Sequence, residues 1–269
     1  MLPQFGGLDT ARPAMRFASL GSGSQGNALV VEASTTRILL DCGFGLSEAT
    51  RRLARIGIAP RDLSAIVVTH EHDDHIGGVA RFARKHRVPV WVTSGTLRGL
   101  EDLFYPEVSV CLIRGYAGFS IGDIRIDPFP VPHDAREPAQ FVFSDGAHRL
   151  GVLTDAGHVT AHMRHCLNGC NALVLECNYD PELLRTGDYP EPLKDRISSR
   201  LGHLDNASAA ALLAALELNR LQHVVAAHLS QSNNRPELAR GALAAVLGCA
   251  AHWVAIAEQQ AGLSWRQLV

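Results

Sequence analysis

Residues 69–75 read Thr-His-Glu-His-Asp-Asp-His, and no other stretch constrains fold and chemistry so tightly. Four side chains able to bind a metal, His70, His72, Asp74 and His75, fall within six residues, directly after the aliphatic run Ala65-Ile66-Val67-Val68. A buried strand that ends in imidazoles and carboxylates points to a site, because unpaired polar groups are costly to bury. His70 and His72 are two apart, so an extended backbone points them the same way. Asp74 and His75 are adjacent and need a turn to face one centre. The H-x-H-x-D-H pattern therefore suits two neighbouring metal ions, one for each pair.

The 269-residue chain, with 46% hydrophobic and 19% charged residues, has material for a sizeable core around such a centre. No apolar run approaches the roughly 18–20 residues of a membrane span. Residues 1–14 show no basic-then-apolar signal pattern and are expected to be a flexible leader, with one folded domain over 15–269. A net charge of −2 argues against a general nucleic-acid coat protein but is compatible with an enzyme carrying a local basic cleft. Six scattered cysteines without a secretory signal fit a reducing cytoplasm.

Hydrophobic periodicity predicts strands at Arg16–Leu20, Leu63–Val68, Ala172–Glu176, Val224–Ala227 and His252–Ile256. It predicts helices at Ile76–His86, at Gly95–Leu103 behind a Ser94 cap, and at Leu204–Leu218 and Pro236–Leu247. Mostly antiparallel strands first, with helices between, predict an α+β fold of two sheets covered by helices. Three more donors stand where strands end: His133 after Phe129–Pro132, Asp155 after Gly151–Thr154 and His228 after Val224–Ala227. Each is unremarkable alone, but together they complete a set. His70, His72 and His133 would hold one ion, Asp74, His75 and His228 the other, with Asp155 bridging. Nitrogen and oxygen donors suit zinc, and also manganese, iron or nickel. Two such ions about 3.5–4 Å apart can share a hydroxide and clamp the attacked and departing oxygens.

These motifs, in this order, resemble the metallo-β-lactamase superfamily over roughly residues 15–260. Within it the chain resembles the YycJ/WalJ group, related to ribonuclease J and the β-CASP nucleases. The resemblance is carried by Leu20–Asn27 (LGSGSQGN), Leu40–Gly43 (LDCG), the 69–75 motif, Val131–Ala135 (VPHDA), Gly202–Asn206 (GHLDN) and His228–Asn234 (HLSQSNN). It implies a four-layer αββα sandwich with the metals at one edge, and catalytic roles for Asp74 and His203, the latter protonating the leaving oxygen. It places Asp41 and Glu176 behind the ligands, orienting them. Ser24 and Asn27 would offer polar groups to a phosphate. The activity implied is that of a dinuclear metal-dependent phosphodiesterase, a DNA exonuclease using a metal-bridging hydroxide. A small-molecule cyclic phosphodiesterase and a thioester or lactam hydrolase stand as alternatives.

One departure from the nuclease pattern matters. Only residues 177–202 lie between Glu176 and His203, too few for a β-CASP domain to roof the cleft. The short insert Asp180–Leu201 carries Arg185, Arg196 and Arg200 and is expected to form a small basic wall, with Arg200 a candidate phosphate contact. The group His158, His162, His165, Cys166 and Cys170 lacks a closing pair with zinc-finger spacing, so it is read as non-metallic.

Overall fold

The computed structural model describes residues 15–100, 107–114 and 116–269; the expected leader lies outside the described residues. Strands β1 (Arg16–Gly21), β2 (Ala28–Ala33) and β3 (Thr36–Leu40) form an antiparallel meander. Strands β4 (Ala65–Val67), β5 (Val90–Thr93) and β6 (Val110–Ile113) then add in parallel. Helices α1 (Leu46–Arg55), α2 (Asp73–Ile76), α3 (Val79–His86) and α4 (Ser94–Arg98) connect them. The last strand, β14 (Leu263–Gln267), returns to pair with β1.

The second sheet repeats the plan. Strands β7 (Phe119–Ile121), β8 (Ile124–Pro130), β9 (Ala139–Ser144) and β10 (Arg149–Leu153) are antiparallel neighbours. Strands β11 (Ala172–Glu176), β12 (His223–Ala227) and β13 (Ala255–Ile256) continue from β10 in parallel. Helices α5 (Ala161–Leu167), α6 (Pro181–Thr186), α7 (Glu191–Ile197), α8 (Asn206–Ala214) and α9 (Pro236–Leu247) belong to this half.

Alternation along the strands sets the layers. Phe17, Val31 and Ile38 of the first sheet meet Ile126, Phe141, Val152 and Val174 of the second in a core between the sheets. The opposite faces turn outward onto helices. Leu39 and Ile66 pack with Leu53 of α1 and Phe82 of α3, and Leu173 and Leu175 with Leu213 of α8 and Leu243 of α9. Each fully buried side chain of this kind contributes about 1.5–3 kcal/mol. The result is the αββα sandwich. No helix among the described residues is long and apolar enough to cross a membrane.

Several local expectations need correction. The helix read as Ile76–His86 starts at Val79; Ile76 instead ends α2, and the break between them falls where Gly78 packs so closely on the Phe44 carbonyl that a β-carbon would collide with it. Thr93, not Ser94, caps α4, accepting from the Thr96 N–H, and the expected helix beyond residue 100 passes outside the described residues. The last strand is not His252–Ile256: a 3-10 turn, Ala251–Trp253, precedes a two-residue β13, and β14 follows.

Strands β8, β10, β11 and β12 all run the same way, and Leu153, Leu175 and Ala226 sit side by side at the ends of the last three. Their carboxyl ends open on one edge, where sheets with parallel strands bind ligands.

Candidate metal centre

Backbone geometry at the strand ends aims the donors. Asp41, Asp155 and His228 each turn out of a strand with positive φ, at 59°, 54° and 55°, a conformation that non-glycine residues adopt at a cost and that clusters at functional sites. The turn needed by Asp74 and His75 is α2, in which the His75 and Ile76 N–H groups bond back to the His72 carbonyl. Asp73 points to solvent on the same turn.

The donors converge as two groups. His70, His72 and His133 place one ring nitrogen each within 4.8 Å of one another, and Asp74, His75 and His228 do the same with their donor atoms. Asp155 joins both sides, in one group with His70 and His75 and in another with Glu176, His203 and His228. All of these except His72, Asp74 and His203 are buried.

Neighbouring groups orient the imidazoles. The Thr69 hydroxyl donates to Asp41 Oδ2 at 2.8 Å, so it can only accept from His70 Nδ1, 3.0 Å away, which leaves His70 Nε2 as a lone pair. Asp41 also accepts from the Thr69 N–H and from His75 Nδ1, both at 2.8 Å. His133 Nδ1 donates to the Gly202 carbonyl at 3.0 Å. These bonds fix tautomers that turn Nε2 of His70, His75 and His133 inward, as metal-binding histidines require. Asn27 is buried and inward-facing: its amide donates to Asp74 Oδ2 at 3.2 Å, and its oxygen accepts from the Gly23 N–H at 2.9 Å.

The chemistry of the donor set fits a cation. His70 Nε2 and His133 Nε2 lie 3.0 and 3.2 Å from the same His72 Nδ1, so lone-pair nitrogens face one another. Burial drives the His70 and His133 pKa values down, keeping both rings neutral. On the other side burial also opposes charge, yet Asp155, Asp41 and Asp74 outweigh it and push His75 up, and against the same burial His75 and His228 hold Asp74 and Asp155 well below the usual carboxylate range. The carboxylates thus draw positive charge to this point. Asp155 Oδ2 is buried without a hydrogen bond, 3.1 Å from His75 Nε2, and an under-satisfied oxygen aimed into a donor cluster suits a metal.

His203 stands beside this cluster with Nδ1 2.7 Å from Glu176 Oε1. Glu176 is fully buried, and its other oxygen accepts from the Ala156 and Leu204 N–H groups. Burial pulls the His203 pKa down, but the Glu176 charge and hydrogen bond prevail and raise it to about 9.

A cavity of about 300 Å³ opens over the donors, lined by His72, Asp74, Asp155, His203 and His228, with Ser24 and Ser230 on its rim. Of the residues read as phosphate contacts, Ser24 is exposed here and Asn27 is not, its amide being spent on Asp74. Arg200 does not line the cavity: its guanidinium lies 3.3 Å from His158 Nε2. Arg196 does, paired with Asp134 at 2.7 Å. Sequence reasoning missed Thr69, although it stands inside the motif, as well as Asn178, Tyr189 and Leu193, for which no local pattern gives a signal. His162 and Cys166 meet at 3.6 Å, but none of the His158–Cys170 group enters a three-donor cluster among the described residues.

An αββα sandwich with a His/Asp cluster at its strand ends defines a metal-dependent hydrolase, and residues 36–228 match the model of the beta-lactamase superfamily domain. The chain belongs to the metallo-β-lactamase superfamily. It is 38% identical over 237 residues to exodeoxyribonuclease YycJ of Bacillus anthracis, covering 87% of this chain and 89% of that protein. It is 36% identical over 228 residues to exodeoxyribonuclease WalJ of Streptococcus pneumoniae, covering 83% and 85%. Among solved structures, the metallo-β-lactamase fold protein YhfI of Bacillus subtilis superposes with a TM-score of 0.73 over 94% of this chain and 99% of that one, at 16% identity.

Proposed function

We propose that this chain is a two-metal phosphodiesterase that removes nucleotides from the ends of DNA strands. The observation that carries the reading is His203, held by Glu176 beside the seven-donor cluster: a protonated imidazole at the mouth of a metal site suits an alkoxide leaving group. The exodeoxyribonuclease relatives, similar over most of their length, support DNA as the polymer. His70, His72 and His133 would hold one divalent ion and Asp74, His75 and His228 the second, with Asp155 between; zinc suits these donors best. Such ions supply positive charge beside the phosphate and lower the pKa of a water molecule.

The residues themselves do the rest. Asp41, Thr69, Asn27 and the Gly202 carbonyl hold the donors in place, so little reorganisation is needed when substrate binds. With Nδ1 on Glu176, His203 keeps Nε2 as the nitrogen that carries a proton to the departing oxygen. The six cysteines are free thiols, in keeping with action in a reducing cytoplasm.

The test is an assay of metal-loaded protein on end-labelled single- and double-stranded DNA, on RNA and on bis-p-nitrophenyl phosphate. Shortening of DNA from an end is the expected result. Turnover of the small diester with no polymer cleaved would sink the nuclease reading and favour a small-molecule phosphodiesterase.

A further inference from the structure

The cavity over the donors has walls of two chemistries. One part is ionic, formed by His72, Asp74, Asp155 and His203; another is apolar, formed by Tyr189, Leu193 and Ile197. Leu193 leaves 36% of its surface exposed there, an unusual choice beside a charged centre. Leu193 and Ile197 are four apart in α7 and so share one helix face, and Tyr189 stands just before the helix's Pro190 cap. Arg196, on the same helix, lines the cavity as well, paired at 2.7 Å with Asp134, which lines it too.

This wall is fastened to the catalytic segment. The His203 N–H donates to the Ile197 carbonyl at 2.9 Å, and the Gly202 N–H to the Ser199 carbonyl at 3.0 Å. A β-carbon at Gly202 would collide with the carbonyls of Ile197 and Arg196, so the close approach requires glycine. The position of the apolar wall is thereby tied to that of His203.

We infer that Tyr189, Leu193 and Ile197 form a stacking shelf for the nucleobase at the end of the strand. The inference rests on the nuclease reading above. A volume of about 300 Å³ is at the small end of ligand pockets, which suits one nucleotide better than a continuous polymer. Every base has a π face, so a tyrosine shelf binds strand ends with little sequence preference. The aliphatic pair beside it excludes water without demanding hydrogen bonds from the base.

The experiment compares single-stranded DNA ending in an intact nucleotide with the same strand ending in an abasic one, prepared at each end in turn. The metal-loaded full chain is expected to lose about tenfold in kcat/KM on the abasic strand, mostly through KM. Tyr189→Ala is expected to lose about as much on the intact strand and to stop distinguishing the two. Tyr189→Phe keeps the discrimination, and Leu193→Ser weakens it; thermal melting of each variant establishes that it is folded. A folded Tyr189→Ala protein with the wild-type ratio overturns the shelf alone. A wild-type protein that cleaves the small diester but no DNA overturns the shelf together with the nuclease reading.

Discussion

The sheet that runs from β14 to β6 contributes its donors from a single loop, His70 to His75, whereas the sheet from β13 to β7 contributes them singly: His133 after β8, Asp155 after β10, His228 after β12. The first set is braced locally, by Asp41 and Thr69 at the adjoining strand ends and by Asn27. The second set depends on strand register, and each donor is placed by a different stretch of chain. The half with the scattered donors also carries Glu176, His203 and the wall formed by Tyr189 and α7. On the proposed function, this division makes the first half mainly a metal cradle that reaches the cavity through Ser24, His72 and Asp74, while the second half would close the centre and supply most of the cavity wall.

Asp155 stands in one group with His70 and His75 of the first half and in another with His203 and His228 of its own, so removing it tests the comparison most severely. Asp155→Ala is expected to lose bound metal and to lower kcat/KM by about a thousandfold or more, since metal charge supplies several kcal/mol to such reactions. Metal content by elemental analysis and turnover of bis-p-nitrophenyl phosphate read the two losses together. A variant that binds its full metal complement would remove Asp155 from the bridging position.

His203→Ala sharpens the contrast within the second half. Metal content should stay at the wild-type level while kcat on DNA falls by about 10²–10⁴-fold, the usual contribution of general acid catalysis. A p-nitrophenolate leaving group needs little protonation, so the loss on bis-p-nitrophenyl phosphate should be much smaller. Equal losses on both substrates would assign His203 to binding or structure instead.

The complementary change in the first half is Asp41→Ala. Without the carboxylate, Thr69 and His75 lose their partner, and metal affinity is expected to fall about 10–100-fold. At saturating metal, most of the kcat should return. If kcat stays low at full metal occupancy, the cradle description of this half fails.

The same asymmetry governs what was legible in the sequence. The 69–75 motif is readable because its donors are local, and their spacing alone demands a strand followed by a turn. His133, Asp155 and His228 were visible only as a coincidence of strand ends, and it is the shared direction of β8, β10 and β12 that brings them together. The insert was opaque for a physical reason. Arg196 and Arg200 are four residues apart, which on a helix would put them on one face, but α7 ends at Ile197 and the following turn carries Arg200 to His158. The inward turn of Asn27 was hidden for a similar reason, since its partners Asp74 and Gly23 meet only in the folded loop. Strand β14 escaped because Leu263-Ser-Trp-Arg-Gln is half polar and owes its pairing to β1 at the other end of the chain.

The smallest effect concerns the proton that the second half supplies. His203 must be protonated to act as an acid, and its pKa is raised to about 9, Glu176 outweighing the burial that pulls it down. Activity should therefore hold as pH rises through neutrality and fall as it passes through the folded-state pKa. Replacing the carboxylate by an amide, Glu176→Gln, removes the negative charge at 2.7 Å and leaves one acceptor oxygen where there were two, so the side chain can accept from His203 Nδ1 or from the Ala156 and Leu204 N–H groups but not from both. Burial then acts with less opposition, and the alkaline limb of kcat must move to lower pH, whatever other charges the site holds. At pH 6 the loss should be only a few-fold, widening as pH rises, which a kcat–pH profile on DNA resolves. A limb that stays in place in Glu176→Gln would mean that some other group titrates, and would detach Glu176 from the proton-donating role of the second half.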